Sequence, residues 1–154
     1  VGIDGGEVFY GTLGSYVRMT NTVIGDTVNA ASRLEGLTRI YRAPVICSEY
    51  VMNDILNNVE NHGIQFLEID TVQVKGKTTG IKIYWPILAR DYDADLEAEV
   101  LLFSEALQMY YRGEWPAAHR KFRRCKLPVA EVFQERTREN CPKGWNGIWE
   151  MTTK

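Results

Sequence analysis

No CxxC pair and no cluster of histidines with cysteines occurs in these 154 residues. The three cysteines, Cys47, Cys125 and Cys141, lie far apart, and His62 and His119 each stand alone in polar surroundings. That argues against structural zinc and against a disulfide framework, and leaves a reducing setting as the default. No apolar run approaches the ~20 residues of a membrane span, and the start carries no signal-peptide pattern. The net charge of −2 removes the electrostatic case for nucleic acid. What remains is ordinary globular material: 45% hydrophobic and 25% charged residues, enough for one core plus an appendage. The opening VGIDGG reads as a strand end entering a turn, so the expectation is of a piece cut from a longer polypeptide.

Residues 1–88 alternate between strand-like and helix-like patterns. Glu7–Thr12 reads as a strand, Leu13-Gly14-Ser15 as a turn, and Tyr16–Ile24 as the hairpin partner. After Gly25 a helix opens, with Asp26 or Thr27 as N-cap and Val28, Ala31, Leu34 and Leu37 as its apolar face. Asn29 and Arg33 fall on another face, one turn apart. Taken alone, that polar pair is an ordinary solvated face. Ala43–Cys47 reads as a short buried strand, with Ser48 capping a helix through Asn57. Ile64–Val74 and Ile81–Ile87 read as strands, and Pro86 places the second at a sheet edge. Strands interleaved with two helices, partly joined by hairpins, predict an α+β fold with helices on a sheet face.

From Asp91 the character changes. DYDADLEAE carries five acids in nine residues and runs into a helix with Leu102, Phe103, Ala106, Leu107 and Tyr110 on one face. Gly113-Glu114 forms a turn, and Pro116 suits the first position of a second helix, on which Ala118 and Phe122 face back. The hairpin over 89–127 resembles a single tetratricopeptide-type repeat, which cannot bury its faces alone. The basic run Arg120, Lys121, Arg123, Arg124 and Lys126 balances the acidic run rather than marking a phosphate site. Residues 128–154 form a tail rich in Trp, Pro and Gly.

Three segments carry a family resemblance. GIDGGEVFYGTLG resembles the glycine-bounded strand preceding the nucleotide site of class III nucleotide cyclases. TVIGDTVNAASRLEGLT is similar to that family's most distinctive segment, and FLEIDTVQVKGKTTGIKIYW resembles its phosphate-side hairpin. In this order, over about 85 residues, they identify residues 1–88 as the C-terminal half of a cyclase catalytic domain with a ferredoxin-like palm. GWNGIW and the polar end are similar to bacterial members whose cyclase domain follows a membrane-bound sensor.

The resemblance implies roles that the side-chain chemistry supports. Asn29 would hold the ribose and orient the nucleotide. Arg33 would place its guanidinium on the phosphate that becomes five-coordinate as the ribose 3′ oxygen attacks. Lys75 would meet the terminal phosphates, with Lys77 next in line for that role. Thr22 stands at the base-reading position, and the backbone of Ile24 would share the base contact. Thr at that place resembles a mostly bacterial subgroup that makes cyclic AMP, and its hydroxyl can accept from the adenine amino group. Relatives of that subgroup often show Arg, any residue, Asp, Tyr and Thr where this chain has RMTNT, so Thr20 and Asn21 replace an acid and an aromatic.

The family also binds two divalent metal ions, Mg or Mn, through aspartates upstream of the GIDGG segment. Asp4, in a turn, and Asp26, a cap, are not substitutes, so the metal ligands are expected outside this sequence and the fragment is expected to be inactive alone. Family sites form between two chains, which implies ATP and a homodimer partner, with no nucleic acid and no direct membrane contact from this fragment. The implied setting is cytoplasmic, with a parent chain anchored through an upstream sensor. Three alternatives stay open: a guanylate cyclase, a pseudocyclase that binds without turnover, and an interaction module built on residues 91–126.

Overall fold

The computed structural model describes residues 1–16, 18–73 and 78–151. They form two sheets and five α-helices, with a short 3-10 turn at Ala89–Asp91, in an α+β arrangement. Strand β1 (Gly2–Ile3) is followed by the hairpin β2 (Phe9–Ser15) and β3 (Arg18–Ile24), helix α1 (Asp26–Tyr41), β4 (Ile46–Ser48) and α2 (Glu49–Asn58). The long pair β5 (Ile64–Gln73) and β6 (Ile81–Leu88) comes next, and α3 (Ala94–Tyr111), α4 (Trp115–Arg124), α5 (Pro128–Arg136) and β7 (Trp149–Glu150) complete the order. The main sheet runs β1-β4-β6-β5-β7, and β2-β3 stands apart as a two-stranded ribbon.

Local chemistry explains most boundaries, including several that differ from the sequence-based expectation. The ribbon pairs Gly14 with Met19 and Ser15 with Arg18, so it turns beyond Ser15 and Leu13-Gly14-Ser15 belongs to the ladder. A Cβ on Gly14 would stand 2.0 Å from the Arg18 carbonyl oxygen; the glycine there serves close backbone approach, not a turn. Helix α1 begins at Asp26 with Gly25 as N-cap at φ 147°, and no side chain caps it. Asp26 is therefore the first helical residue, its carboxylate favourable to the helix dipole, and the Thr27 hydroxyl donates to the Glu7 carbonyl (3.1 Å). The strand expected over Ala43–Cys47 is observed at Ile46–Ser48. Ser48 caps α2 as expected, accepting from the Val51 N–H at 3.3 Å.

Pro86 lies in an internal strand rather than at an edge. Strand β4 reaches β6 only at Tyr84 and Ile83, so β6 is open on that side where Pro86 stands and no central ladder is interrupted. Val74 lies outside the described residues. Pro116 is the second, not the first, residue of α4, and a third helix, α5, occupies the first part of what the sequence suggested was a tail.

One face of the main sheet carries the core. Leu67, Ile69, Val72, Ile83 and Ile87 meet Leu34, Leu37 and Tyr41 from α1, and Phe103, Ala106, Leu107 and Tyr110 from α3. Helices α3 and α4 run antiparallel, because Tyr110 stacks on Trp115 while Phe103 meets Phe122. Lys121 pairs with Glu105 along the same seam. Phe133 of α5 closes the group, lying 5.0 Å from both Tyr110 and Phe122 and 5.6 Å from Phe103, centroid to centroid. The core is thus continuous between residues 1–88 and the helices that follow.

A bulge in β5 decides what enters this core. Leu67 pairs with Trp85 and Glu68 with Tyr84, but the next partner of Ile83 is Asp70. Residues 83 and 85 share a face by alternation, so Leu67 and Asp70, three apart, share it too. Regular pairing would have turned Asp70 away with Glu68; one extra residue reverses the facing. Asp70 is consequently fully buried.

Phe133→Ala should lower the unfolding free energy by about 3–5 kcal/mol, as expected for truncating a buried aromatic, measured as a shift of the urea midpoint with unchanged slope.

Candidate functional site

The site is built at the N-terminal half of α1. Gly25, at positive φ, turns the chain sharply out of β3, so the helix starts beside the loop that follows β1. Glycine at position 2 allows close packing: a Cβ there would sit 2.2 Å from the Glu35 nitrogen and 2.5 Å from the Ala31 carbonyl oxygen. Helix α1 therefore lies directly against β1, and Asp4 comes to face its first turns. A cavity of about 250 Å³ is lined by Asp4, Asp26, Thr27, Asn29, Ala30 and Arg33. A second, of about 480 Å³ and more apolar, adjoins it through Asp4, Ala30 and Arg33 and extends toward Tyr50 and Ile81.

Asn29 and Arg33 are thus brought together on one cavity wall, a turn apart. Both are exposed, and neither side chain makes a hydrogen bond or ion pair among the described residues. A free guanidinium and a free amide above a small polar hollow can receive an anionic, hydrogen-bonding ligand. Asp4 is held in place by the Ser48 hydroxyl (2.5 Å) and the Gly5 N–H (2.9 Å), both donating to one carboxylate oxygen. Its position in both cavities could not be read from the sequence, since the approach of β1 to α1 and α2 is a tertiary event.

Thr22 and Ile24 lie in β3, opposite Gly11 and Phe9 of the ribbon. Neither lines either cavity. Thr22 is half-buried and Ile24 exposed. Lys75 and Lys77 lie outside the described residues, although Thr79 and Gly80, just beyond them, border the larger cavity. The departure at Thr20 and Asn21 has a local role: the Thr12 hydroxyl donates to the Asn21 side-chain oxygen at 2.7 Å across the ribbon.

Among the described residues, no group of three or more His, Cys, Asp or Glu side chains is placed to hold a metal ion. Asp4 and Asp26 are two carboxylates without a third, and one of them is already engaged by a hydroxyl and an amide. The described residues do not fit a two-metal centre.

The adenylate and guanylate cyclase catalytic domain model matches residues 1–87. The chain belongs to this family. It is 42% identical over 84 residues to an adenylate cyclase of Anabaena cylindrica, covering 54% of this chain and 16% of that protein. It is 33% identical over 113 residues to the terminal-differentiation-specific adenylate cyclase of Dictyostelium discoideum, covering 73% and 5%. Adenylate cyclase 1 of Rhizobium meliloti is 36% identical over 83 residues, covering 54% and 12%. The chain therefore spans no more than about a sixth of the length of these cyclases. Among solved structures, the adenylyl cyclase CyaB from P. aeruginosa aligns at 28% identity with a TM-score of 0.47, over 60% of this chain and 44% of that one. The Dictyostelium alignment, at 113 residues, is longer than the 87 residues of the family match. No helix among the described residues of this cyclase-family chain is long and apolar enough to cross a membrane.

Because Arg33 is exposed and unpaired, Arg33→Ala should leave the unfolding free energy within about 0.5 kcal/mol of wild type. A calorimetric or urea comparison of the two folded chains checks this; a larger loss would show a structural role for the side chain.

Proposed function

We propose that this chain is the C-terminal half of the catalytic domain of an adenylate cyclase, converting ATP to cyclic AMP and pyrophosphate. The observation that carries the reading is the placement of Asn29 and Arg33, both unpaired, on one wall of a polar cavity at the start of α1. Family membership over residues 1–87 and three relatives named adenylate cyclase support it.

In this reading the Asn29 amide holds the ribose and aligns its 3′ oxygen with the α-phosphate. As that oxygen attacks, its hydroxyl proton passes to solvent water and negative charge accumulates on the non-bridging oxygens of the five-coordinate phosphorus. Arg33 meets that charge with a guanidinium that carries no competing partner and needs no proton transfer. The bond to the pyrophosphate oxygen breaks, and Lys75, or Lys77 beside it, receives the phosphates that leave. Thr22 accepts from the adenine amino group, with the Ile24 backbone alongside. Thr22 and Ile24 lie off the cavity wall, so the base-reading part of the site is completed by surfaces beyond this chain.

Two divalent ions belong to the reading as well, held by aspartates elsewhere in a longer polypeptide. This chain's own contribution is to bind, orient and neutralise. A second copy is the partner. The β2-β3 ribbon projects Phe9, Tyr10, Leu13, Tyr16 and Met19 into solvent, each more than half exposed, and so large an apolar surface marks a protein interface. A cytoplasmic setting, with a parent chain anchored through an upstream sensor, is part of the same proposal. The bacterial Thr-type subgroup and a tetratricopeptide-like extension are parts of the same proposal; the antiparallel α3-α4 packing supports the latter.

In the complete polypeptide with manganese, Arg33→Ala should lower cyclic AMP production from ATP by on the order of a hundredfold, the usual scale for removing one transition-state charge donor. Unchanged turnover would remove the mechanism, and cyclic GMP from GTP in place of cyclic AMP would overturn the role given to Thr22.

A further inference from the structure

We propose that Arg136, in the helical extension, is a positioning residue for the reaction, acting through α1 on Asn29 and Arg33. The inference rests on the functional reading above for its catalytic consequence, but not for its structural core.

Arg136 stands at the end of α5, 8% exposed as a side chain, and forms an ion pair with Asp70 of β5 at 2.7 Å. Its other terminal nitrogen donates to the hydroxyl of Tyr41, the last residue of α1, at 3.0 Å. The Tyr41 hydroxyl in turn donates to Asp70 at 2.5 Å, and the Thr71 N–H donates to the second Asp70 oxygen at 2.8 Å. Burial pushes the Asp70 carboxyl up, opposed by Arg136 and by the hydrogen bonds it accepts. Burial, then the Asp70 charge, pushes the Tyr41 phenol well above its ordinary value, so it stays a donor. The guanidinium is packed against aromatic faces: 4.0 Å from the Trp149 ring centroid, 5.0 Å from Phe133 and 5.1 Å from Tyr41. A second tie joins the same helices, the exposed pair of Arg42 with Glu131.

The C-terminal end of α1 is therefore fastened to the extension by a buried, hydrogen-bonded ion pair, while its middle is fixed against Gly2 of β1. Eight residues separate Tyr41 from Arg33, about 12 Å along a helix. A small tilt of α1 about its contact with β1 would displace both site residues, and misplacement by about 1 Å can lower a rate a hundredfold. Such a residue alters the rate of the chemical step more than substrate affinity, because it acts through Asn29, which aligns the reacting oxygen, and Arg33, which meets charge that grows in the transition state.

The test is Arg136→Met in the complete polypeptide, read two ways. Hydrogen exchange without nucleotide should quicken at least tenfold across 29–37 while β5 and β6 amides keep their protection; unchanged exchange in α1 overturns the positioning. With ATP, kcat should fall tenfold or more and by a larger factor than KM rises, whereas in a background carrying both Asn29→Ala and Arg33→Ala, Arg136→Met should change kcat less than twofold. An equal loss of kcat in both backgrounds would make Arg136 merely structural and overturn the inference. If Arg136→Met does not fold, Tyr41→Phe removes one link and keeps the ion pair, and must show the same pattern at smaller amplitude. Wild type that makes no cyclic nucleotide, with α1 exchange still dependent on Arg136, would uphold the positioning and overturn only the functional reading.

Discussion

One buried carboxylate, Asp70, is the polar centre of the join between the family region and the helices after it. An ionised group in a core is costly unless each oxygen is paired. Here both are, one oxygen by side chains from two helices, Tyr41 of α1 and Arg136 of α5, and the other by a backbone amide of its own strand. The arrangement exists only because β5 carries a bulge, which turns Asp70 toward the core instead of leaving it beside Glu68 on the other face. Removing one partner from such a pair typically destabilises by about 3–5 kcal/mol, so the bulge, the acid, the phenol and the guanidinium stand or fall together. The rings of Trp149, Phe133 and Tyr41 cover the guanidinium, and the Tyr110 hydroxyl accepts from it at 3.4 Å.

That constraint bears on the candidate site through α1. The helix has two kinds of attachment, backbone approach at Gly2 and side-chain locking at Tyr41, and between them runs the apolar stripe of Leu34 and Leu37. Asn29 and Arg33 lie beside that stripe, Arg33 one turn before Leu37 and bordering the same larger cavity as Leu34 and Leu37, and neither side chain has a hydrogen-bond or ion-pair partner among the described residues. One face and one end of α1 thus serve the fold, and the exposed side chains near its start are free, among the described residues, for the role proposed for them.

Much of this was legible from residue patterns. The period of the apolar positions gave α1, Ser48 gave the start of α2, and alternation gave β5 and β6 to within a residue or two. Asn29 and Arg33 were legible as a pair from their spacing, and the structure places both on one cavity wall; the site role comes from the family resemblance and stands as a proposal. Other features depended on tertiary events. Gly14 looks like a turn residue because glycine has two uses, and only pairing tells a turn from a close ladder contact. Pro86 looked like an edge marker because the three-residue length of β4 is invisible in sequence. Asp70 and Arg136 were missed for a related reason. Sixty-six positions apart, one in a strand and one in a segment that looked like a tail, they carry no local signal, and Arg136 is hidden within the polar run 134–140. Helix α5 itself lacks a side-chain cap, and its apolar positions, Val129, Ala130 and Phe133, were too few to outweigh the Trp, Pro and Gly that follow.

The central claim is that Asn29 and Arg33 act on the reacting nucleotide. The most direct measurement is a crystal structure of the complete catalytic dimer with a non-cyclisable ATP analogue. The account predicts the Asn29 amide within hydrogen-bond reach of the ribose and the Arg33 guanidinium on the α-phosphate, with α1 still locked at Tyr41. A nucleotide bound with both side chains turned to solvent would contradict it.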